Sequence, residues 1–266
     1  MSINKEFLQR DSNITAKIIC DSISEGKDIF VYNKEGCKAA ITKYEKSYKV
    51  SLRFCDKHGH ELSTSLDAIN RGSFKNPYHP SVFNVGFFGV GCHKGTHKGK
   101  QSRVYKAWIN MLRRCYDART QEKDESYVGC SVDAVWHNFQ NFADWYESHE
   151  SYGLGYELDK DLLIEGNKIY SPKTCCLVPN DINSLFSGNF SRSSGSNCGV
   201  TVSRSGKYRA RVRRYGKQTE LGLYSTIDEA VEAYKKAKND YILEVVGKYK
   251  GRISNDVFQA IIKRTL

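Results

Sequence analysis

Gly199-Val200-Thr201-Val202-Ser203, Lys207-Tyr208-Arg209-Ala210-Arg211-Val212-Arg213, Glu220-Leu221-Gly222-Leu223-Tyr224, then Asp228-Glu229-Ala230 and Ala233-Tyr234 form the stretch that decides the fold. Three short strand-like runs, separated by turns, lead into one amphipathic helix. In the second run Lys207, Arg209, Arg211 and Arg213 alternate with Tyr208, Ala210 and Val212. Side chains of a strand point alternately to opposite faces, so the spacing puts the cations on one face and the apolar residues on the other. Such a sheet can pack its apolar side on the helix and lay its cationic side on a polyanion.

The charge distribution agrees. The chain of 266 residues carries 41 Lys and Arg against 30 Asp and Glu, a formal charge of +11. From residue 197 onward there are 15 Lys and Arg against 7 Asp and Glu, so most of the excess lies in the last quarter. Clustered positive charge is the electrostatic footprint of a nucleic-acid binder, because each neutralised phosphate releases counterions. A solvated basic surface would give the same count, and the strand alternation is what favours DNA.

The order Gly-Val-(x)-Val, Lys-Tyr-Arg-Ala-Arg-Val-Arg, Leu-Gly-Leu-Tyr and Glu-Ala-(x3)-Ala-Tyr resembles the ethylene-response-factor (Apetala-type) DNA-binding domain. That resemblance implies a three-stranded antiparallel sheet entering the DNA major groove, with a helix behind. It places Thr201, Ser203, Arg209, Arg211 and Arg213 toward DNA, and Val202, Ala210, Val212, Leu221, Ala230 and Tyr234 in the core. Lys207, from the alternation, and the neighbouring Arg204 and Arg214 complete the expected DNA-binding set. Thr201 and Ser203 stand where the plant domains carry arginine, so the base specificity of those domains does not transfer.

Upstream, Tyr105, Trp108, Leu112 and Cys115 recur at helical spacing, as do Val135 or Trp136, Phe139, Phe142 and Trp145 or Tyr146. All three tryptophans fall here, and such stripes read as core. Lys106, Arg113 and Arg114 on the other helical face suit either solvent or phosphate. Next come Leu158-Asp159-Lys160-Asp161-Leu162, Glu165-Gly166-Asn167-Lys168 and Leu177-Val178-Pro179-Asn180-Asp181-Ile182-Asn183. They read as a strand, a polar turn, a second strand and a helix capped near Asn180 or Asp181.

These blocks, with Trp108-(x2)-Met111-(x2)-Arg114-Cys115-Tyr116, resemble a phage-encoded, homing-endonuclease-like family with an HNH (His-Me finger) motif. The likeness covers roughly residues 100 to 245. It implies a metal-binding Asp at Asp159, the helix Asn at Asn183, and one Mg²⁺ or Mn²⁺ held against the scissile phosphate. Lys160 occupies the place of the catalytic His, and the middle Asn falls on Thr174 or Cys175. A lysine is cationic at neutral pH unless buried, and a cation stabilises phosphorane charge but takes no proton. Three repairs stay open: a desolvated Lys160 acting as base, His137 or His149 reaching the site, or attack by a metal-bound hydroxide. Glu157, Asp159 and Asp161 equally suit an acidic patch on a structural hairpin.

The expected fold is therefore α+β. Residues 1–90 form a small β-rich accessory module, with strands at Asp28–Tyr32, Tyr48–Phe54 and Glu61–Thr64. Residues 100–190 form an HNH-like ββα-metal module with flanking helices, and residues 197–266 the Apetala-type domain with a C-terminal extension. Two functions compete: a divalent-metal-dependent DNA endonuclease targeted by its C-terminal sheet, and a non-catalytic, regulator-like DNA-binding protein with a degenerate nuclease module. The partner in both is double-stranded DNA, and the oligomeric state stays open.

Nine cysteines without regular spacing or a C-x-x-C pair predict free thiols and no structural zinc. Cys92, His93 and His97 suit a metal site or, with the interleaved glycines and lysines, a basic loop. No apolar run approaches membrane-spanning length and no secretory signal follows Met1-Ser2-Ile3-Asn4-Lys5, which predicts a cytoplasmic protein, in the bacterial host if phage-encoded.

Overall fold

A computed structural model describes residues 7–8, 13–149, 151–186 and 199–265. Met1–Lys5, Cys198 and the expected start of the C-terminal block at residue 197 lie outside the described residues. The fold is mixed α and β, with eight α-helices and several small sheets among the described residues. The chain divides into two compact units, Met1–Gly91 and Cys92–Leu266.

In the first unit β1 (Phe7–Leu8) pairs parallel with β2 (Ile29–Tyr32), and β2, β3 (Lys38–Lys46), β4 (Lys49–Phe54) and β5 (Glu61–Thr64) follow as an antiparallel meander. Two helices, α1 (Ala16–Ser24) and α2 (Leu66–Asn70), begin at Thr15 and Ser65, whose hydroxyls accept backbone N–H groups and so satisfy donors a helix start leaves free. Period-two alternation buries Val50, Leu52 and Phe54 of β4 with Ile29, Val31, Ile41 and Ile69. The three strands expected from sequence are present. The central strand β3 is an addition: charged residues over Lys43–Lys46 hide its apolar half, Ala39 and Ile41.

The second unit opens with a hairpin of β6 (Thr96–His97) and β7 (Lys100–Gln101), turned by Lys98 and Gly99 at positive φ. His93 pins this basic loop to a helix, its ring nitrogens 2.7 Å from Asp144 and 3.3 Å from Glu147. The helices α3 (Arg103–Tyr116), α4 (Ala118–Lys123) and α5 (Phe139–Ser148) follow, with β8 (Ser131–Val132) before α5. Both aromatic stripes are core: Trp108, Trp136, Phe139 and Phe142 are almost fully buried, and Trp108 Nε1 donates to the Trp136 carbonyl at 2.7 Å. The second stripe is broken at Asn138, which caps α5, so Trp136 belongs to a short 3-10 turn rather than to the helix.

Next come β9 (Glu157–Asp159), β10 (Ile169–Tyr170), β11 (Cys176–Val178) and α6 (Asn180–Phe186). Antiparallel pairing of β9 with β11 sets Asp159 opposite Cys176, while β10 pairs parallel with β8. Strand, turn, strand and helix thus follow the order read from sequence. The last elements are β12 (Val200–Val202), β13 (Tyr208–Arg214), β14 (Lys217–Tyr224), α7 (Ile227–Gly247) and α8 (Asn255–Thr265). Their sheet is three-stranded and antiparallel, in the order β12-β13-β14, with α7 packed on one face. Thr226 and Glu229 close a capping box at the start of α7. No helix among the described residues is long and apolar enough to cross a membrane.

Candidate nucleic-acid interface

Tyr208, Ala210 and Val212 turn toward α7, with Ala210 and Val212 essentially inaccessible. Arg209, Arg211 and Arg213 therefore project from the opposite face. Thr201 pairs with Arg209 across the sheet, and Arg211 Nη2 reaches the Thr201 hydroxyl at 3.4 Å. Register shifts between Ala210 and Arg211, which face Gly222 and Glu220, so Leu221 is the additional residue of a bulge. That shift keeps Glu220 on the cationic face, 3.5 Å from Arg209 Nε. Gly222 sits there at a φ of 144°, which a side chain would resist. The outer face is thus Thr201, Arg209, Arg211, Arg213, Gln218, Glu220 and Leu223, the leucine being 46% exposed.

Ser203, Arg204 and Lys207 lie at the β12–β13 turn, where the Ser203 amide donates to the Lys207 carbonyl at 2.7 Å, with Arg204 and Lys207 exposed. Two residues depart from their expected places. Arg214 follows Arg213 by one, so it stands on the α7 side, and its Nη2 donates to the Ala237 carbonyl at 2.9 Å. It anchors the sheet to the helix and stands apart from the face that carries Arg209, Arg211 and Arg213. Val202, expected in the core, is 68% exposed at the end of the edge strand β12. Ala230 is buried as expected, and Leu221 and Tyr234 are half-buried.

Three strands at about 4.8 Å spacing make a backbone ribbon about 10 Å wide, against a B-DNA major groove of about 12 Å. The dimensions suit insertion of the sheet, and its arginine forks can reach base edges or phosphates.

At the β9–β11 hairpin Asp159 and Lys160, expected as metal and catalytic residues, make hydrogen bonds within the chain. Asp159 Oδ1 accepts the backbone N–H groups of Asp161 at 2.8 Å and Leu162 at 2.6 Å, closing the turn after β9. Burial pushes the Asp159 carboxyl above the usual carboxylate range. Lys160 is 6% exposed, and its ammonium donates to both carboxylate oxygens of Asp161 at 2.7 Å and to the Asn167 carbonyl at 3.0 Å. Its three contacts all lie within the chain, to Asp161 and Asn167. Asn183 lies in α6, half-buried, and α6 packs against β9. His137 turns its Nε2 to the Val132 carbonyl at 3.1 Å, and His149 stacks edgewise on Trp145.

Sequence reading missed the groups that lock this turn. Asn167 donates to the carbonyls of Lys160 and Ile169 at 2.8 and 2.7 Å, and Arg264 of α8 donates to the Asp161 carbonyl. The Gly166-Asn167 turn signal pointed to the first; nothing local pointed to an arginine so far along the chain.

If Lys160 is a structural cation, Lys160→Ala lowers stability, since it removes one partner of a mostly buried pair. With Asp161 half exposed the expected cost is about 2 kcal/mol, roughly 5 °C in Tm for this unit. Thermal melts beside duplex titrations check this: an unchanged Tm would return Lys160 to a functional role.

No family model, no curated protein and no solved structure matches the chain.

Proposed function

We propose that this protein binds double-stranded DNA by inserting the outer face of the β12–β14 sheet into the major groove. The observation that carries the reading is the set Arg209, Arg211 and Arg213 on one face of a sheet whose other face is closed by α7. Fluorescence anisotropy with duplex DNA, single-stranded DNA and double-stranded RNA, over 50–200 mM salt, tests it. A duplex preference with a steep salt slope is expected, and equal or better binding to RNA would defeat it.

A second reading is favoured by one observation, the β9–β11 hairpin running directly into α6. In that reading the central module is an HNH-like, divalent-metal-dependent endonuclease. Its ion would be Mg²⁺ or Mn²⁺, held by one Asp159 oxygen and the Asn183 amide oxygen with water and phosphate completing the shell. Oxygen donors of this kind suit such hard cations, and the ion would polarise the scissile phosphate. The partners of Lys160 leave this module without a base at the usual position, which favours DNA binding as the principal function.

Supercoiled plasmid incubated with wild type and Asp159→Ala in Mg²⁺ or Mn²⁺ decides between them. The expected result is no nicking by either; nicking by wild type that Asp159→Ala abolishes would establish the enzyme. A cytoplasmic location fits both readings.

A further inference from the structure

We infer that the second unit carries another nucleic-acid contact, a groove beside α3 that takes the phosphodiester backbone of one strand. The inference rests on the DNA-binding reading and adds a site that the C-terminal sheet does not contain.

One face of α3 is spent on the core, through Val104, Trp108, Met111, Leu112 and Cys115. Arg103, Lys106, Asn110 and Arg114 recur at steps of three and four and share another face. Together with Gln101 and Glu157 they line a cavity of about 640 Å³. Three cations against one carboxylate leave it net positive.

Two of the cations are held in place by residues far away in sequence. Arg103 Nη2 donates to the Tyr156 carbonyl at 2.7 Å. Beside it Gly155 adopts a φ of +79°, and a Cβ there would come within 3.3 Å of Arg103 Nη1. Arg114 is half-buried, with its guanidinium 5.3 Å from the centre of the Tyr127 ring. Guanidinium groups fixed in this way lose little freedom on meeting a phosphate. Lys106 is exposed and supplies a mobile charge between them.

The spread of charge identifies the ligand. From Arg103 to Arg114 the helix advances about 16 Å at ~1.5 Å per residue. A single phosphate would meet one of these cations. A strand carrying one charge per ~3.4 Å of duplex axis would meet all three. Glu157, the carboxylate in the groove, disfavours a lone dianion held deep within it.

The test uses the full chain and duplex titrations over a range of salt. Lys106→Glu is expected to weaken the wild-type Kd about five- to tenfold and to lower the slope of log K against log salt by about one. Lys123→Glu, an equal charge reversal on exposed α4 outside the groove, should change the Kd less than twofold. Unchanged affinity and slope for Lys106→Glu overturn the inference, as do equal losses in both variants, which would report overall charge alone. A mononucleotide that displaced duplex from Arg209→Ala/Arg211→Ala protein at matched ionic strength would overturn it too, because the groove would then hold a single phosphate. Duplex binding that is lost on substituting the sheet arginines but indifferent to Lys106 defeats this site and leaves the sheet reading standing. No duplex binding by wild type defeats both.

Discussion

Arg209→Ala/Arg211→Ala is expected to weaken duplex binding at least about 30-fold at moderate salt, taking ~1 kcal/mol for each lost contact as the lower end of the range. The slope of log K against log salt should fall by about two if both side chains meet phosphates, and by less if one reads a base edge. Stability should scarcely move. The Arg209–Glu220 pair is 3.5 Å long and well exposed, and Arg211 reaches Thr201 at 3.4 Å, so each contributes less than about 1 kcal/mol. Anisotropy titrations with a parallel thermal melt separate the two effects. Intact duplex affinity with RNA binding abolished would transfer the sheet to RNA.

The second large effect is expected at Gly199, which immediately precedes β12 at a φ of +75°. A Cβ there would stand 2.5 Å from the Arg211 carbonyl oxygen and closer still to the Tyr234 ring. Neither neighbour can retreat easily: the one is the backbone of the central strand, and the other is a half-buried ring of α7. Left-handed strain and overpacking together should cost Gly199→Ala about 4 kcal/mol. The loss should be local, because the Arg211 N–H to Gly199 carbonyl bond of 2.7 Å ties the edge strand to the centre. Hydrogen exchange should show the Arg211 amide losing protection while the Trp108 region keeps its own. Duplex affinity should fall with it, as Thr201 leaves the arginine face. Full protection at Arg211 would show that the strand absorbs the methyl group.

The cationic face was legible because a strand has the simplest of periods. Once β13 is placed, the parity of Arg209, Arg211 and Arg213 follows, and α7 is required to cover Ala210 and Val212. The same parity assigns Arg214 to the helix side; grouping it by charge with its neighbours obscured that. Val202 misled for the opposite reason, since an apolar residue says nothing of whether its place in the strand is an exposed end. Hairpin and helix around Asp159 were legible from their order along the chain. The fate of Lys160 was not, because its environment is made by Asp161 beside it, by Asn167 across a turn and by Arg264 behind that turn. The groove on α3 was half legible: its cations share a helical face, but Gly155, Tyr156 and Glu157 complete it from elsewhere.

The contacts that α8 and the connection between α7 and α8 make with the central module bear on how such a chain can be recombined. Arg264 donates to the Asp161 carbonyl, Tyr249 to the Asp181 carboxylate at 2.6 Å, and Tyr156 to the Arg252 carbonyl at 3.2 Å. The helix that closes the cationic sheet and the helix after it are also a wall of the central module. Exchanging the whole C-terminal block for a different domain would strip donors from Asp161 and Asp181. A graft that respects the fold must keep α7 and α8 and replace only the three strands.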